Sequence, residues 1–305
     1  MDAKVTVGIP VFNGAATLRR AVESILHQTY RGCIIHISDN CSSDATETVG
    51  RALAAAHGII RYTRHAVTAL PTGNFHFLLS EAKTPYFMWL AADDYAEPSY
   101  VERALARLEA DPSLVACAGR VRFVRPDGAM RIGRGTYPLL ADPVTNLAVF
   151  LSTPVENARV YALYRTAPLQ RAFPRTHFYA SDWAAAGTLV YGKHAEIPEV
   201  LTVRDETPRD TYFRAVPAAN RGPLARIFPL LPLTGDLLLR QRVPPRLKIL
   251  KALLYINIEQ HFATMAVRHP AYSARTARLR EFWRRYVGWR LQTLPPESPG
   301  PSAPA

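Results

Sequence analysis

The chain has 305 residues, of which 48% are hydrophobic and 20% charged, with 37 lysine and arginine residues against 25 aspartate and glutamate residues. This composition is typical of a globular protein with a sizeable core, and it excludes a wholly disordered chain. No stretch reaches about 18 uncharged apolar residues, and the first residues lack a basic region followed by an apolar one. We therefore expect neither a membrane-spanning helix nor a classical secretion signal, and we expect a cytoplasmic protein.

The first half of the chain alternates between strand and helix patterns. Apolar runs rich in β-branched residues predict strands, and apolar residues at helical spacing predict helices. In chain order the predicted elements are a strand at 5–10, a helix around 18–26, a strand at 33–38, a helix at 44–57 that starts with a capping box of Asp44 and Glu47, a strand at 59–63, a helix at 74–83 and a strand at 86–91. A further helix follows, with Pro98 in its first turn and with Val101, Leu105 and Leu108 at helical spacing. This alternation predicts a mostly parallel sheet with helices on both faces.

The pattern loosens in the second half. Further strands are predicted at 115–124, 158–164 and 197–203, and a helix at 182–190, so the α/β sheet should become mixed. From about residue 221 the chain reads as helical and basic, and from 295 it is rich in proline and serine. The predicted organisation is an α/β domain over 1–215, a helical extension over 216–294, and a disordered tail over 295–305.

The positive charge belongs to the last third of the chain. Residues 1–210 hold 22 basic and 21 acidic residues, whereas residues 211–305 hold 15 and 4. Apolar residues recur there at helical spacing between arginines: Leu247, Leu250, Leu253, Leu254 and Ile258, then Leu279, Phe282, Trp283, Tyr286 and Val287. These amphipathic helices either pack on the first domain or lie on an anionic membrane surface. Nucleic-acid binding is less favoured, because no nucleic-acid-binding motif accompanies the charge.

Acidic residues follow two of the predicted strands at the point where each strand ends. Asp39 comes after the second strand, and Asp93 and Asp94 come after the fourth. Ligands of open α/β sheets bind beyond the carboxyl ends of the strands, so these side chains should share one edge. Two adjacent carboxylates suit Mg²⁺ or Mn²⁺ bridging a diphosphate. The structural alternative is an Asx turn at Asp39 and a helix N-cap at Asp93 or Asp94.

The sequence motifs of several other kinds of catalytic and cofactor-binding site are missing from the chain. The chain has no G-x-G-x-x-G after the first strand, no phosphate-binding G-x-x-x-x-G-K-[ST], no H-E-x-x-H and no G-x-S-x-G. Dinucleotide, P-loop, zinc-protease and serine-hydrolase sites are therefore not expected. His194 is expected to be a loop residue rather than a metal ligand.

Several segments together resemble the family 2 glycosyltransferases, which have a GT-A fold and invert the anomeric configuration. They are 5–17 (VTVGIPVFNGAAT), 28–30 (QTY), 37–46 (ISDNCSSDAT), 74–75 (NF), 89–94 (WLAADD), 158–165 (ARVYALYR), 179–183 (YASDW) and 192–198 (GKHAEIP). The resemblance covers roughly residues 4–210. It implies transfer of a sugar from a nucleoside diphosphate to an acceptor hydroxyl of a saccharide or a lipid-linked saccharide.

The resemblance also implies roles for individual residues. Pro10, Val11, Phe12 and Asn13 match the loop around the nucleotide base, and Asp39 matches the carboxylate that accepts the imide N–H of uracil or thymine. Asn74, Ala92, Asp93 and Arg165 complete the implied nucleotide-sugar site. Arg64 and Arg204 are weaker candidates for the diphosphate or the acceptor.

For the chemistry, Asp93 matches the last aspartate of the D-x-D motif and Asp94 matches its acidic neighbour, so that the pair would hold Mg²⁺ or Mn²⁺, and Asp182 matches the general base. Two positions depart from the family pattern, since Ala91 replaces the first aspartate of that motif and Ser181 stands where other members carry glutamate. These departures keep a second hypothesis open, a homologue that binds nucleotide sugars without turnover. Asp182 as a plain helix cap is a third possibility.

Overall fold

The structure, a computed structural model, describes residues 3–153, 158–173, 180–206, 224 and 227–286. Its strands are β1 Val5–Val11, β2 Cys33–Asp39, β3 Ile60–Arg64, β4 Tyr86–Trp89, β5 Tyr95–Ala96, β6 Leu114–Val124, β7 Met130–Ile132, β8 Leu163–Arg165 and β9 Lys193–Asp205. Its helices are α1 Leu18–Leu26, α2 Thr46–Ala56, α3 Pro71–Glu81, α4 Tyr100–Ala110, α5 Pro143–Ser152, α6 Thr166–Ala172, α7 Ala180–Thr188, α8 Leu231–Gly235, α9 Leu247–Arg268 and α10 Pro270–Tyr286. A short 3-10 turn at Arg159–Tyr161 precedes β8.

The strands form one mixed sheet in the order β3-β2-β1-β4-β8-β6-β9-β5, with β7 paired to β6. Strands β3, β2, β1 and β4 are parallel neighbours, and β6 and β9 run in the same direction. Strands β8 and β5 are antiparallel to their neighbours. The predicted mixed, mostly parallel sheet is confirmed, and the carboxyl ends of β1, β2, β3 and β4 lie along one edge.

Successive side chains of the central strands are buried alternately on the two faces of the sheet. Val7 and Ile9 of β1 pack with Leu18 and Val22 of α1 in one core cluster. Trp89 belongs to a second cluster that includes residues of α3, β8 and α7. Each fully buried aliphatic or aromatic side chain contributes about 1.5–3 kcal/mol. The two clusters explain why the parallel strands read as nearly continuous apolar runs.

Pro10 stands in a central strand, where a missing backbone N–H is normally costly. The pairing of β1 with β4 ends at Gly8 and Trp89, whereas its pairing with β2 continues through Pro10 to Val11. Pro10 therefore lies where only one neighbouring strand remains. This staggered ending opens the sheet directly after β1.

The predicted capping box does not form. Asp44 accepts the N–H of Thr46 at 2.9 Å, two residues on, instead of capping the third residue of a helix. Glu47 pairs with Arg51 at 2.8 Å and with Arg64 at 3.0 Å instead of turning back to the helix start. The prediction was wrong because Arg51 of the same helix and Arg64 of β3 both compete for the Glu47 carboxylate.

Other differences concern the second half. Residues 158–164, predicted as one strand, begin with the 3-10 turn, and β5, β7, α5 and α6 were not predicted. His194 is not a loop residue, since it lies in β9, is 1% exposed and shares a hydrogen bond with the Thr188 hydroxyl at 2.9 Å. Pro98 lies two residues before α4 rather than in its first turn.

The last third is helical, as predicted. One side of α9 buries Ile249, Leu253 and Ile256 against Leu147 and Leu151 of α5. The helix α10 returns along α9, with the rings of Tyr255 and Trp283 stacked at a centroid distance of 6.3 Å. The predicted boundary at 215–216 and the tail at 295–305 lie outside the described residues. In the described part of the chain, no helix combines the length and the apolar character needed to cross a membrane.

Candidate active site

The ends of β1, β2 and β3 form one row of residues. Val11 is the register partner of Asp39, and Asp39 is the partner of Arg64. The N–H of Asn40 donates to the Val11 carbonyl at 2.9 Å, which continues the pairing one residue beyond β2. The predicted base-binding residues therefore share the edge at which ligands of open α/β sheets bind.

The loops after β1 and β2 are joined by hydrogen bonds between main chain and side chain. The Asn13 N–H donates to Ser42 Oγ at 2.8 Å, and the Ser43 N–H donates back to Asn13 Oδ1 at 2.8 Å. Asn13 has φ of 51° and Cys41 has φ of 62°, a left-handed conformation in which asparagine is tolerated better than most residues. The Phe12 ring, 53% exposed, projects from this joined pair of loops. A rigid loop with an exposed aromatic ring is suited to hold a nucleotide base.

Asp39 lies at the floor of this edge and is fully buried. Its Oδ1 accepts the Ser42 N–H at 2.9 Å, its Oδ2 accepts the Tyr62 hydroxyl at 2.6 Å, and Arg64 Nε lies 3.7 Å from Oδ2. Burial and the Asp39 carboxylate raise the pKa of Tyr62 far above its usual value, so this hydroxyl remains a donor. The carboxylate is thus compensated by two hydrogen-bond donors and one nearby cation, and one of the donors, the Ser42 N–H, belongs to the loop after β2.

Asn74 reaches the same edge from α3. Its Nδ2 donates to the Ser38 carbonyl at 2.8 Å, and its Oδ1 accepts from the Ser38 hydroxyl at 2.5 Å. Only 4% of Asn74 is exposed. The structure therefore places Asn74 beside the predicted site, where it fastens α3 to the last residues of β2.

The two carboxylates after β4 face different surroundings. The pairing of β4 with β1 continues to Leu90, whose N–H donates to the Gly8 carbonyl at 3.0 Å. A turn over Ala92 and Asp93 follows. Asp93 is exposed, and its carbonyl accepts from the Arg20 guanidinium of α1. Arg20 also pairs with Asp205 at 3.2 Å, so the turn at Asp93 is linked through Arg20 to β9.

Asp94 is 2% exposed and points into the protein. Its Oδ2 lies 3.2 Å from Arg204 Nε, and its Oδ1 accepts the Asp205 N–H at 3.3 Å. The Arg204 guanidinium lies over the rings of Tyr161 and Phe123, at 4.6 and 5.4 Å from their centroids. Burial raises the pKa of Asp94 to about 7, the Arg204 cation opposes this rise, and the Asp93 charge adds to it.

The turn after β4 offers a divalent metal few protein ligands. Among the described residues, no group of three or more His, Cys, Asp or Glu side chains is gathered closely enough to hold a metal by itself. Mg²⁺ is often held by only one or two carboxylates together with substrate phosphates. The exposed Asp93 fits that arrangement. The buried and paired Asp94 does not offer a free ligand in this conformation.

Arg165 does not belong to this edge. Strand β8 is antiparallel to β4, so its last residue, Arg165, is the register partner of Tyr86, the first residue of β4. The guanidinium donates to the carbonyls of Leu114 at 2.8 Å and Leu108 at 2.7 Å. The predicted donor-binding role of Arg165 is corrected, because strand direction places it at the opposite end of the sheet.

Asp182 lies in the first turn of α7, and its side chain is outside the described residues. Ala184 of this helix packs in the same cluster as Val160 and Tyr161 of the 3-10 turn. Tyr161 in turn favours the charged form of Asp94 and so lowers the pKa of that carboxyl. The helix that carries Asp182 is therefore a neighbour of the segment that supports the β4 turn.

A GT-A fold is defined by these features: a mixed sheet with helices on both faces and a carboxyl edge that presents Asp39 and Asp93. Residues 6–180, more than half of the chain, match the family described as glycosyl transferase family 2. The chain belongs to this family, as its sequence motifs indicated, and it is a glycosyltransferase.

Among curated proteins, an uncharacterised glycosyltransferase of Rickettsia typhi is 31% identical over 150 residues, which are 45% of this chain and 46% of that protein. The chondroitin synthase of Pasteurella multocida is 31% identical over 138 residues, which are 44% of this chain and 14% of that enzyme. This chain therefore spans less than half the length of each of these two relatives.

Solved structures share the fold over nearly the whole chain. S. aureus TarS in complex with UDP-GlcNAc has a TM-score of 0.58 at 13% identity, over 93% of this chain and 88% of that one. The mannosyltransferase PcManGT of Pyrobaculum calidifontis, in complex with GDP-Man and Mn²⁺, has a TM-score of 0.54 at 18% identity, over 93% and 81%. At such identities the likeness establishes the fold alone.

Proposed function

We propose that this glycosyltransferase moves a sugar from a nucleoside diphosphate, UDP or dTDP, to an acceptor hydroxyl with inversion at the anomeric carbon. The observation that carries the proposal is the placement of two carboxylates on either side of β1 at one edge of the sheet, the buried Asp39 at the end of β2 and the exposed Asp93 after β4. Neighbours of the same fold are named for complexes with UDP-GlcNAc and GDP-Man, which supports a nucleotide sugar as donor.

In this proposal the loop of Pro10, Val11, Phe12 and Asn13 surrounds the base, with the Phe12 ring as its exposed apolar contact. Asp39 accepts the imide N–H that uracil and thymine share. Asp39 accepts hydrogen bonds from Ser42 and Tyr62 and lies 3.7 Å from Arg64 Nε, and a carboxylate with about four acceptor positions can also take the imide N–H. Ala92 and Asn74 line or support this pocket rather than provide charge.

Asp93 would hold Mg²⁺ or Mn²⁺ against the donor diphosphate. Such a cation, when bound, stabilises the negative charge that develops on the leaving phosphate. We assign Asp94 a positioning role instead of the metal contact predicted from the sequence, because its carboxylate is buried against Arg204 and Tyr161. The ion pair fixes the turn from which Asp93 projects.

Asp182 is proposed as the general base that takes the proton from the acceptor hydroxyl. Attack by that oxygen on the face opposite the leaving diphosphate is a single displacement, which inverts the configuration. The acceptor is proposed to be a saccharide or a lipid-linked saccharide, and a lipid-linked one would place the enzyme at the inner face of the membrane.

The second candidate is a homologue that binds nucleotide sugars without turnover. It is favoured by Ala91 and Ser181 and by the internal pairing of Asp94, which together leave Asp93 as the exposed acidic group of the turn. This candidate predicts donor binding without release of nucleoside diphosphate.

The test combines binding with turnover. Purified protein is heated with UDP-, dTDP- and GDP-sugars in the presence of Mn²⁺ or of EDTA, and release of nucleoside diphosphate is then measured with any sugar that binds. A donor at a hundredfold excess over its Kd should stabilise the fold by about 2.7 kcal/mol. Stabilisation that needs Mn²⁺, followed by release, supports the transferase. Stabilisation without release supports the second candidate, and equal stabilisation in EDTA contradicts the metal role.

A further inference from the structure

The outer faces of α9 and α10 carry exposed leucines beside arginines and lysines. The residues concerned, called here the basic apolar surface, are Arg246, Leu247, Leu250, Lys251 and Leu254 at the start of α9 and Arg275, Arg278 and Leu279 on α10. Leu247 is 67% exposed, Leu250 43% and Leu254 44%.

The three leucines of α9 form one stripe. They follow one another at i, i+3 and i+7, which places them on a single face of the helix. The opposite face is already used, since Ile249, Leu253 and Ile256 are buried against α5. An apolar stripe left outside a helix that has a well-packed inner face is the kind of patch that marks an interaction surface.

Charge on this part of the protein is strongly positive. Residues 227–286 contain 11 lysine and arginine residues and three acidic ones. Two of the three acids are turned inward: Asp236 pairs with Arg240 at 2.5 Å, and the buried Glu259 lies 3.6 Å from Arg280. The third, Glu281, is exposed on α10. The exposed face at the start of α9 carries no acidic residue, and Lys251 lies on it between Leu250 and Leu254.

The second helix extends the surface. Arg275, Arg278 and Leu279 are exposed and lie within one turn of α10, and Leu279 is 57% exposed. Because Tyr255 and Trp283 stack, the later part of α10 lies beside the first part of α9. Arg280 lies 3.6 Å from Glu259, so the exposed residues of α10 lie level with the middle of α9 and extend the surface lengthwise from its leucine stripe.

We propose that the basic apolar surface binds an anionic phospholipid membrane. The leucines enter the boundary between headgroups and acyl chains, and the lysine and arginines neutralise lipid phosphates, as in helices that lie in a membrane interface. A second copy of this chain is a poorer occupant, because it would bring two strongly positive faces together. The surface is separate from the transfer chemistry and does not depend on it.

The experiment is cosedimentation of the full-length protein with vesicles of phosphatidylcholine, either pure or containing about 30% phosphatidylglycerol. We expect binding to the anionic vesicles only, weakening as salt is raised. The double substitution Arg246→Gln with Lys251→Gln should lower the partition coefficient about 25-fold, since each basic residue near an anionic surface contributes about fivefold. Leu250→Ser with Leu254→Ser should lower it about tenfold or more.

A matched control changes exposed apolar residues elsewhere, Met130→Ser with Ile132→Ser on β7, and should leave vesicle binding unchanged. The proposal would be overturned if the unaltered protein did not bind anionic vesicles, or if the α9 variants bound them as strongly as the unaltered protein does. It would also be overturned if light scattering showed that the unaltered protein is a dimer and that the α9 variants are monomers. Tighter binding of duplex DNA than of anionic vesicles would do the same. Donor-dependent release of nucleoside diphosphate, measured for each variant with soluble acceptors, tests the transferase separately.

Discussion

Replacing Arg204 by methionine removes the cation that faces the buried Asp94 carboxylate and keeps a side chain of similar length between Phe123 and Tyr161. Breaking a buried ion pair by removing one partner typically costs 3–5 kcal/mol, because it leaves a buried charge without compensation. Asp94 is 2% exposed, whereas the Arg204 side chain is 23% exposed. We therefore expect the lower end of that range, about 3 kcal/mol, where Asp94 is ionised.

The cost should depend on pH in a defined direction. Burial raises the pKa of Asp94 from 3.8 in the unfolded chain to about 7 in the native protein. Between these two values the native state keeps a proton that the unfolded state has lost, so native stability falls as pH rises through the window. Arg204 limits this fall only when Asp94 is charged. The variant can avoid the full cost by protonating Asp94, which costs about 1.4 kcal/mol one pH unit above a pKa of about 7. The loss in Arg204→Met should therefore be about 2 kcal/mol near pH 8 and below about 1 kcal/mol near pH 5.5.

Urea unfolding of both proteins at the two pH values measures this difference. The matched control is Arg61→Met, which breaks the exposed pair of Arg61 and Glu81, with side chains 58% and 36% exposed. An exposed pair contributes below about 1 kcal/mol, and the control should show little dependence on pH. An equal loss for Arg204→Met at both pH values, or a loss no larger than in the control, would refute the account of Asp94.

Three further substitutions separate the roles of single residues. Asp93→Asn should lower transfer at least about a hundredfold and remove the effect of Mn²⁺ on donor affinity, with unfolding energy unchanged within about 0.5 kcal/mol because the side chain is exposed; a donor affinity that still responds to Mn²⁺ would place the metal elsewhere. Asp182→Asn should abolish nucleotide release while calorimetry shows nearly unchanged donor affinity, and full turnover in this variant would rule out the base assignment. Arg165→Met should lower the free energy of unfolding by about 2 kcal/mol through lost hydrogen bonds and leave donor affinity intact; weakened donor binding in a stable variant would restore its predicted role.

The sequence predicted the first half of the fold well because its signals are local. Strands β1 to β4 are short apolar runs separated by amphipathic helices, and such a repeat has few parallel arrangements. Asp39 and Asp93 share an edge as a direct consequence, since each follows a parallel strand. The helix α5 had a usable signal that was missed: Asp142 caps it by accepting the Thr145 N–H at 3.1 Å, and Pro143 begins it.

The errors in the site come from contacts between distant parts of the chain. Residues 94 and 204 are 110 positions apart, and the local sequence around either residue contains no pattern that predicts their ion pair. Arg165 was misplaced for a related reason, because a three-residue strand carries no mark of its direction. Asp94 pairs with Arg204 and Glu47 pairs with Arg64, and local sequence patterns predict neither of these two contacts.

The adjacency of Asp93 and Asp94 has a physical explanation in the structure. Two neighbouring carboxylates repel each other, and desolvation of both would be severe. The turn after β4 resolves this by sending one carboxylate outward to solvent and the other inward to a cation held between two aromatic rings. Arg20, bound to the Asp93 carbonyl, and Asp205, whose N–H donates to Asp94, then link the same turn to α1 and β9. The inner carboxylate thereby fixes the backbone of the outer one, so a second acidic residue that binds no metal still determines where the first one projects.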